Sequence, residues 1–240
     1  MSTDWDSSVG NYEALKRILK GKKHFANDNI YNVLLDAKGM FFTPHDMQSF
    51  MLYPVEKACR KLLEALAIDT ENDHNTKETA HRIAKMFLYE LFKGRYEPMP
   101  NMTAFPNDKH IDQLIASGPI QVRSMCAHHF MPFIGQAWIG VLPDPDGKLL
   151  GLSKYARLTD WIFSRPTIQE ESTEQLADKL EEIIQPHGLA VVVRAKHMCE
   201  CMRGIKEPEC TAVTTVLKGN FLTDPKAKSE FFDVIRGMGY

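Results

Sequence analysis

This sequence has no run of about 18 apolar residues, so it encodes no membrane-spanning helix. Neither sign of charge dominates. A formal net charge of −2 over 240 residues argues against a nucleic-acid binder held by bulk charge, while leaving room for a local basic pocket. Low-complexity tracts and strong internal repeats are missing. The opening Met1-Ser2-Thr3-Asp4-Trp5-Asp6 is acidic and polar, without the basic and apolar regions of a secretory signal. Cysteine is scarce: the five present are an odd number in a chain too large to need disulfide staples. Reduced thiols in the cytoplasm, some of them serving a metal, are the expectation. What remains is ordinary, with 44% hydrophobic and 25% charged residues. That composition fits one sizeable globular domain with a less regular extension.

Residues 1–50 read as an N-terminal extension, polar and weakly patterned. A short helix is expected over Tyr12 to Lys20, broken by Gly21-Lys22-Lys23 and by Asn27-Asp28-Asn29. From Pro54, placed to suit a first helical turn, Val55, Ala58, Cys59, Leu62, Leu63 and Leu66 recur at three and four residues as a buried stripe. A second helix carries Ala80, Ile83, Phe87, Leu88 and Leu91, with Asn75 and Glu78 as its cap and Gly94 as its end. These two helices make residues 51–95 a helical part.

The core, residues 118–240, changes period. Strands are expected at Ile120 to Cys126, Pro132 to Leu142, Leu189 to Met202 and Thr211 to Leu217. Helices follow Ser153, read as a cap, and span Ser172 to Gln185; Asp224-Pro225 opens a last one. The order ββααββ predicts an α+β fold, an antiparallel sheet with helices on one face.

Two clusters carry the chemistry: Cys126-Ala127-His128-His129, and His197-Met198-Cys199-Glu200-Cys201. Thiolates and imidazoles are zinc donors, and a catalytic zinc takes three protein ligands and a water. Alternate residues on a strand share a face, which would pair Cys126 with His128 or Cys199 with Cys201. A turn after Cys126 would instead bring His129 to it. Spacing leaves both arrangements open. A structural zinc would draw a fourth ligand from His128, His197 or Cys201. The zinc nucleobase deaminases are set aside, because neither His-x-Glu nor Pro-Cys-x-x-Cys occurs. Zinc-activated water, and so hydrolysis, is the inference.

A second group is cationic. Lys154 and Arg157 lie three apart on the helix that Ser153 opens, where free N–H groups favour an anion. Arg203 follows Cys199 by four residues, and Arg82 and Lys85 share the earlier helix. Gln169-Glu170 lies just ahead of the helix expected over Ser172 to Gln185.

Together these strings resemble the GTP cyclohydrolase I family over roughly residues 54–237. The matching runs are Thr79-Ala80-His81-Arg82-Ile83-Ala84-Lys85-Met86, Cys126-Ala127-His128-His129-Phe130, Gly151-Leu152-Ser153-Lys154-Tyr155-Ala156-Arg157, Ile168-Gln169-Glu170, and His197-Met198-Cys199 with Met202-Arg203-Gly204. The resemblance implies a tunnelling fold that assembles into a ring, with two pentamers stacked as a homodecamer. It implies zinc held by Cys126, His129 and Cys199, and catalytic roles for His128 and His197. Glu170, assisted by Gln169, would grip the guanine edge of GTP. Ser153, Lys154, Arg157 and Arg203 would hold the triphosphate, with Arg82 and Lys85 reaching in from a neighbouring subunit. The product implied is 7,8-dihydroneopterin triphosphate, with C8 leaving as formate.

Two departures stand out. Ala127 occupies a position where the family usually has Glu, and Glu171-Ser172-Thr173 replaces the common Arg-Leu-Thr. The first keeps open a reaction that stops at a formylated or ring-opened pyrimidine. A non-catalytic, zinc-stabilised nucleotide-binding assembly is the rival from another class.

Overall fold

The computed structural model describes residues 5–20, 25–35 and 43–240. The chain divides into two compact units, Met1–Pro98 and Met99–Tyr240.

The first unit is helical: α1 (Trp5–Lys20), α2 (Ile30–Leu35), α3 (Pro44–Ala65), α4 (Thr79–Lys85) and α5 (Lys93–Tyr96). The expected helix over Tyr12 to Lys20 lies within α1, and the break assigned to Gly21-Lys22-Lys23 falls outside the described residues. Helix α3 begins ten residues before Pro54. Thr43 caps it, with its hydroxyl accepting from the Asp46 amide at 3.2 Å and the Asp46 carboxylate accepting from the Thr43 amide at 2.9 Å. Pro44 takes the first helical position, and Pro54 sits in the interior. Of the stripe expected on α3, Leu63 is buried, whereas Leu62 and Leu66 are 60% and 62% exposed. Asn75 does not cap α4. Its side chain turns to Asp73, and Glu78 holds the cap position without a side-chain bond.

Between α4 and α5 the helix widens into a π turn over Met86–Leu91, closed by the Phe92 amide on the Phe87 carbonyl. The buried Gln48 amide of α3 donates to the Leu88 carbonyl at 2.8 Å, satisfying an acceptor inside that turn. Gly94 therefore lies within α5, beyond the turn, and does not end the preceding helix.

The second unit carries β1 (Ala104–Pro106), β2 (Ile115–Cys126), β3 (Pro132–Leu142), β4 (Lys148–Leu150), α6 (Leu152–Phe163), β5 (Pro166–Thr167), α7 (Gln169–Ile184), β6 (Gly188–His197), α8 (Met198–Cys201), β7 (Ala212–Gly219), α9 (Asn220–Thr223) and α10 (Pro225–Gly237). Its main sheet runs β5-β2-β3-β6-β7, antiparallel except for the short parallel pairing of β2 with β5. Strands β1 and β4 form a separate antiparallel pair. Helix α6 starts from Gly151, so Ser153 lies inside its first turn and caps nothing.

Both faces of the sheet are covered in part, which corrects the one-face expectation. On one face Val122, Phe133, Ala137, Ile139, Val191 and Val193 pack with Leu158, Ile162, Leu176 and Leu180 of α6 and α7. On the other, Trp138, Ala190 and Val192 pack with Phe221, Phe231 and Ile235 of the C-terminal helices. The pattern behind this is a β3 that is apolar on both sides, as buried strands are. Gly140 is needed there, since a Cβ at that position would lie 2.5 Å from the Phe231 ring.

Candidate active site

Strand β2 ends at Cys126, and residues 127–129 fold back as a turn. The Phe130 amide donates to the Cys126 carbonyl at 2.9 Å, and the Cys126 amide donates to the Met131 carbonyl at 2.8 Å. Phe130 takes a left-handed φ of 52° to close the turn. The Ala127 amide donates to the Thr167 carbonyl at 3.0 Å, tying the turn to β5. This geometry swings His129 back towards Cys126.

The second cluster arrives along β6. The register Phe133↔His197 sets the end of β6 beside the start of β3, just past that turn. The strand expected to run to Met202 stops at His197, where the chain coils into the single turn of α8. That coil brings Cys199 to Cys126 and His129: donor atoms of all three lie within 4.8 Å of one another. The turn arrangement is thus the one adopted. Among the described residues this trio is the group of metal-ligand type.

The trio suits a zinc ion. A tetrahedral site with bonds of about 2.0–2.3 Å places donors roughly 3.5 Å apart, inside the 4.8 Å that bounds the three donors here. The donor chemistry agrees. Burial first, and then the adjacent Cys126 thiol, push the Cys199 thiol above its ordinary pKa. Two close thiols oppose ionisation in this way unless a cation sits between them.

The other histidines are set around the trio. The His128 ring is exposed, with Nδ1 3.8 Å from the Cys126 sulfur. His197 is half-buried and stacked on Phe133, ring centroids 4.6 Å apart and planes 14° from parallel. Burial lowers its pKa, while the nearby Glu170 and Glu200 carboxylates act in the opposite sense. His197 Nε2 lies 2.9 Å from Oε1 of Gln169. Gln169 is 1% exposed, at the first residue of α7, and Glu170 follows it with its carboxylate exposed. Cys201 stands apart from the trio, its sulfur 4.0 Å from the Pro208 carbonyl. None of the five cysteines forms a disulfide.

Of the cations, Ser153, Lys154 and Arg157 lie on the first two turns of α6, with Ser153 and Arg157 exposed. The Lys154 ammonium donates to the Asn101 carbonyl at 2.7 Å. Arg203 is exposed in the segment after α8. Arg82 and Lys85 are exposed on α4, in the other unit. Sequence reasoning missed Phe133 and Thr214. Phe133 shares the inward alternation of Ala137 and Ile139, a signal that marks it as core; nothing in the sequence singles out Thr214.

Fold and site together define an α+β protein with a Cys₂His centre of metal-ligand type. The family model for GTP cyclohydrolase I matches residues 55–236. The GTP cyclohydrolase 1 of Caldanaerobacter subterraneus subsp. tengcongensis is 40% identical over 182 residues, 75% of this chain and 95% of that protein. The GTP cyclohydrolase 1 of Bacillus cytotoxicus is 39% identical over 191 residues, 79% of this chain and 99% of its own. That of Streptomyces avermitilis is 38% identical over 180 residues, 75% and 88% of the two chains. The chain belongs to the GTP cyclohydrolase I family.

Proposed function

We propose that this protein hydrolyses GTP at C8 of the guanine ring, releases that carbon as formate, and closes the remainder to 7,8-dihydroneopterin triphosphate. The observation that carries the reading is the convergence of Cys126, His129 and Cys199 within 4.8 Å, with His197 and Glu170 nearby, in a chain of this family. Zinc is the ion that the donor set fits, and its Lewis acidity would bring the ionisation of water from about 15.7 down towards neutral pH.

The chain's own residues do the rest. Glu170 holds the N–H edge of guanine through a charge-assisted contact, and rejects adenine because that carboxylate would be left unmatched. His197 gives a proton to N7 as the imidazole ring opens, a task suited to a group that changes charge near neutrality. His128 assists opening of the ribose before the pyrazine ring closes. Ser153, Lys154, Arg157 and Arg203 hold the triphosphate; Lys154 exchanges its Asn101 carbonyl for phosphate oxygens. Arg82 and Lys85 complete that site from a neighbouring subunit of a ring-shaped homodecamer, two stacked pentamers acting in the cytoplasm.

The test is product analysis. Zinc-loaded protein incubated with GTP is expected to release formate and, after oxidation, a fluorescent pterin. Formyl-pyrimidine without pterin would instead establish a reaction that stops at ring opening. GTP binding without formate would mark a non-catalytic assembly.

A further inference from the structure

The Gln169 side chain has an orientation that its surroundings dictate. Its amide nitrogen lies 3.0 Å from the Val193 carbonyl, 3.3 Å from the Ala212 carbonyl and 3.0 Å from the Thr214 hydroxyl. Two of these partners are main-chain carbonyls, which only accept, so the nitrogen end of the amide must face them. The oxygen end is thereby turned onto His197 Nε2 at 2.9 Å. An amide oxygen only accepts, and so Nε2 is the donor and carries a hydrogen.

The ring is fixed in its other directions too. Phe133 stacks beneath it with planes 14° apart, and Phe133 is itself fully buried and edge-on to Phe163. The stack sets the plane of the imidazole, and the Gln169 bond sets its rotation within that plane. Gln169 is buried and its polar atoms are all engaged, so it presents nothing to a purine.

We propose that Gln169 is a positioning residue: it holds His197 in the Nε2–H tautomer and, with Phe133, fixes the orientation of the ring. The catalytic half of this inference rests on the role proposed above for His197. A ring free to rotate or change tautomer would offer the correct atom only part of the time, which lowers turnover without weakening substrate binding.

Solid-state ¹⁵N spectra of zinc-loaded protein labelled at histidine read the tautomer directly, with His197 assigned by its absence from a His197→Ala sample. The expected result is a protonated Nε2 and an unprotonated Nδ1; the opposite tautomer overturns the proposal. That arm reads the tautomer in the unsubstituted protein and uses the His197→Ala sample only to assign the signal. In the second arm, Gln169→Met removes the acceptor while keeping the length of the side chain. Its kcat is expected to fall about 10- to 100-fold with zinc content retained and KM for GTP within about twofold. A variant that keeps kcat and loses GTP affinity would make Gln169 a guanine contact and overturn the positioning role. An unsubstituted enzyme that releases no formate would overturn the catalytic half together with the proposed reaction, and the tautomer spectra would still decide the geometry.

Discussion

Cys126, His129 and Cys199 owe their meeting to two small backbone events: the turn over residues 127–129 and the single helical turn that ends β6. Neither event is encoded by the donors themselves. The donors and their pairing across seventy residues were legible in the sequence; the choice of His129 over His128 came from the family resemblance and not from spacing, because it rests on the left-handed Phe130 and on the bond from Ala127 to Thr167. Ala127 contributes to this turn through its main chain, so the missing carboxylate leaves the turn intact. Gln169 was legible as a polar residue beside Glu170, but not as a buried one, since its partners come from β6 and β7. Two expectations belong at this scale. His197→Ala should retain zinc and lose formate release by about 10²- to 10⁴-fold, the usual worth of a positioned acid; zinc analysis beside a formate assay checks it. Glu170→Gln should lower the preference for GTP over ATP by about 10- to 100-fold, the range of one charge-assisted contact. Competition binding with the two nucleotides measures that.

The elements of the second unit follow their patterns closely, because alternation along β2, β3 and β6 and the 3.6-residue spacing on α6 and α7 are set by the burial that the fold then provides. The first unit was harder to read. Thr43-Pro44-His45-Asp46 is a complete start signal for α3, yet Pro54 offered a competing one ten residues later. Leu62 and Leu66 show that a helical period of apolar residues marks a face without naming what covers it. The π turn had no local cue, since it is supported by Gln48 from another helix. Helix α6 offers a quantitative test of its packing. Tyr155 is 2% exposed there, and burial pushes its phenol up to about 12. Above the ordinary tyrosine value near 10 the unfolded chain gives up this proton while the folded chain retains it. Stability therefore falls as pH rises through the interval from about 10 to about 12, by roughly 2–3 kcal/mol for a shift of that size. Denaturant unfolding of Tyr155→Phe should show that much less alkaline loss than the unsubstituted protein, and an equal loss would mean the phenol is not buried as described.

At the scale of the whole molecule, the end of β2, the turn after it and α8 bring the candidate metal donors together, and the proposed function adds cations from α4 of a neighbouring subunit. No helix among the described residues is long and apolar enough to cross a membrane. The shared site proposed above makes a specific demand of the proposed assembly. Arg82→Ala and Cys199→Ser proteins should each be inactive alone, and co-refolded mixtures should regain part of the activity, because some sites then draw an intact residue from each parent. Mixtures that stay inactive would mean each chain works with its own cations. The most direct measurement lies at the centre of the site. Zinc and formate should be determined together for the unsubstituted protein, for protein stripped by a chelator and reloaded, and for Cys199→Ser. The expected result is one zinc per chain, loss of formate release on stripping, recovery on reloading, and neither zinc nor formate from the Ser variant. Undiminished formate release from protein that holds no transition metal would contradict the account at its root.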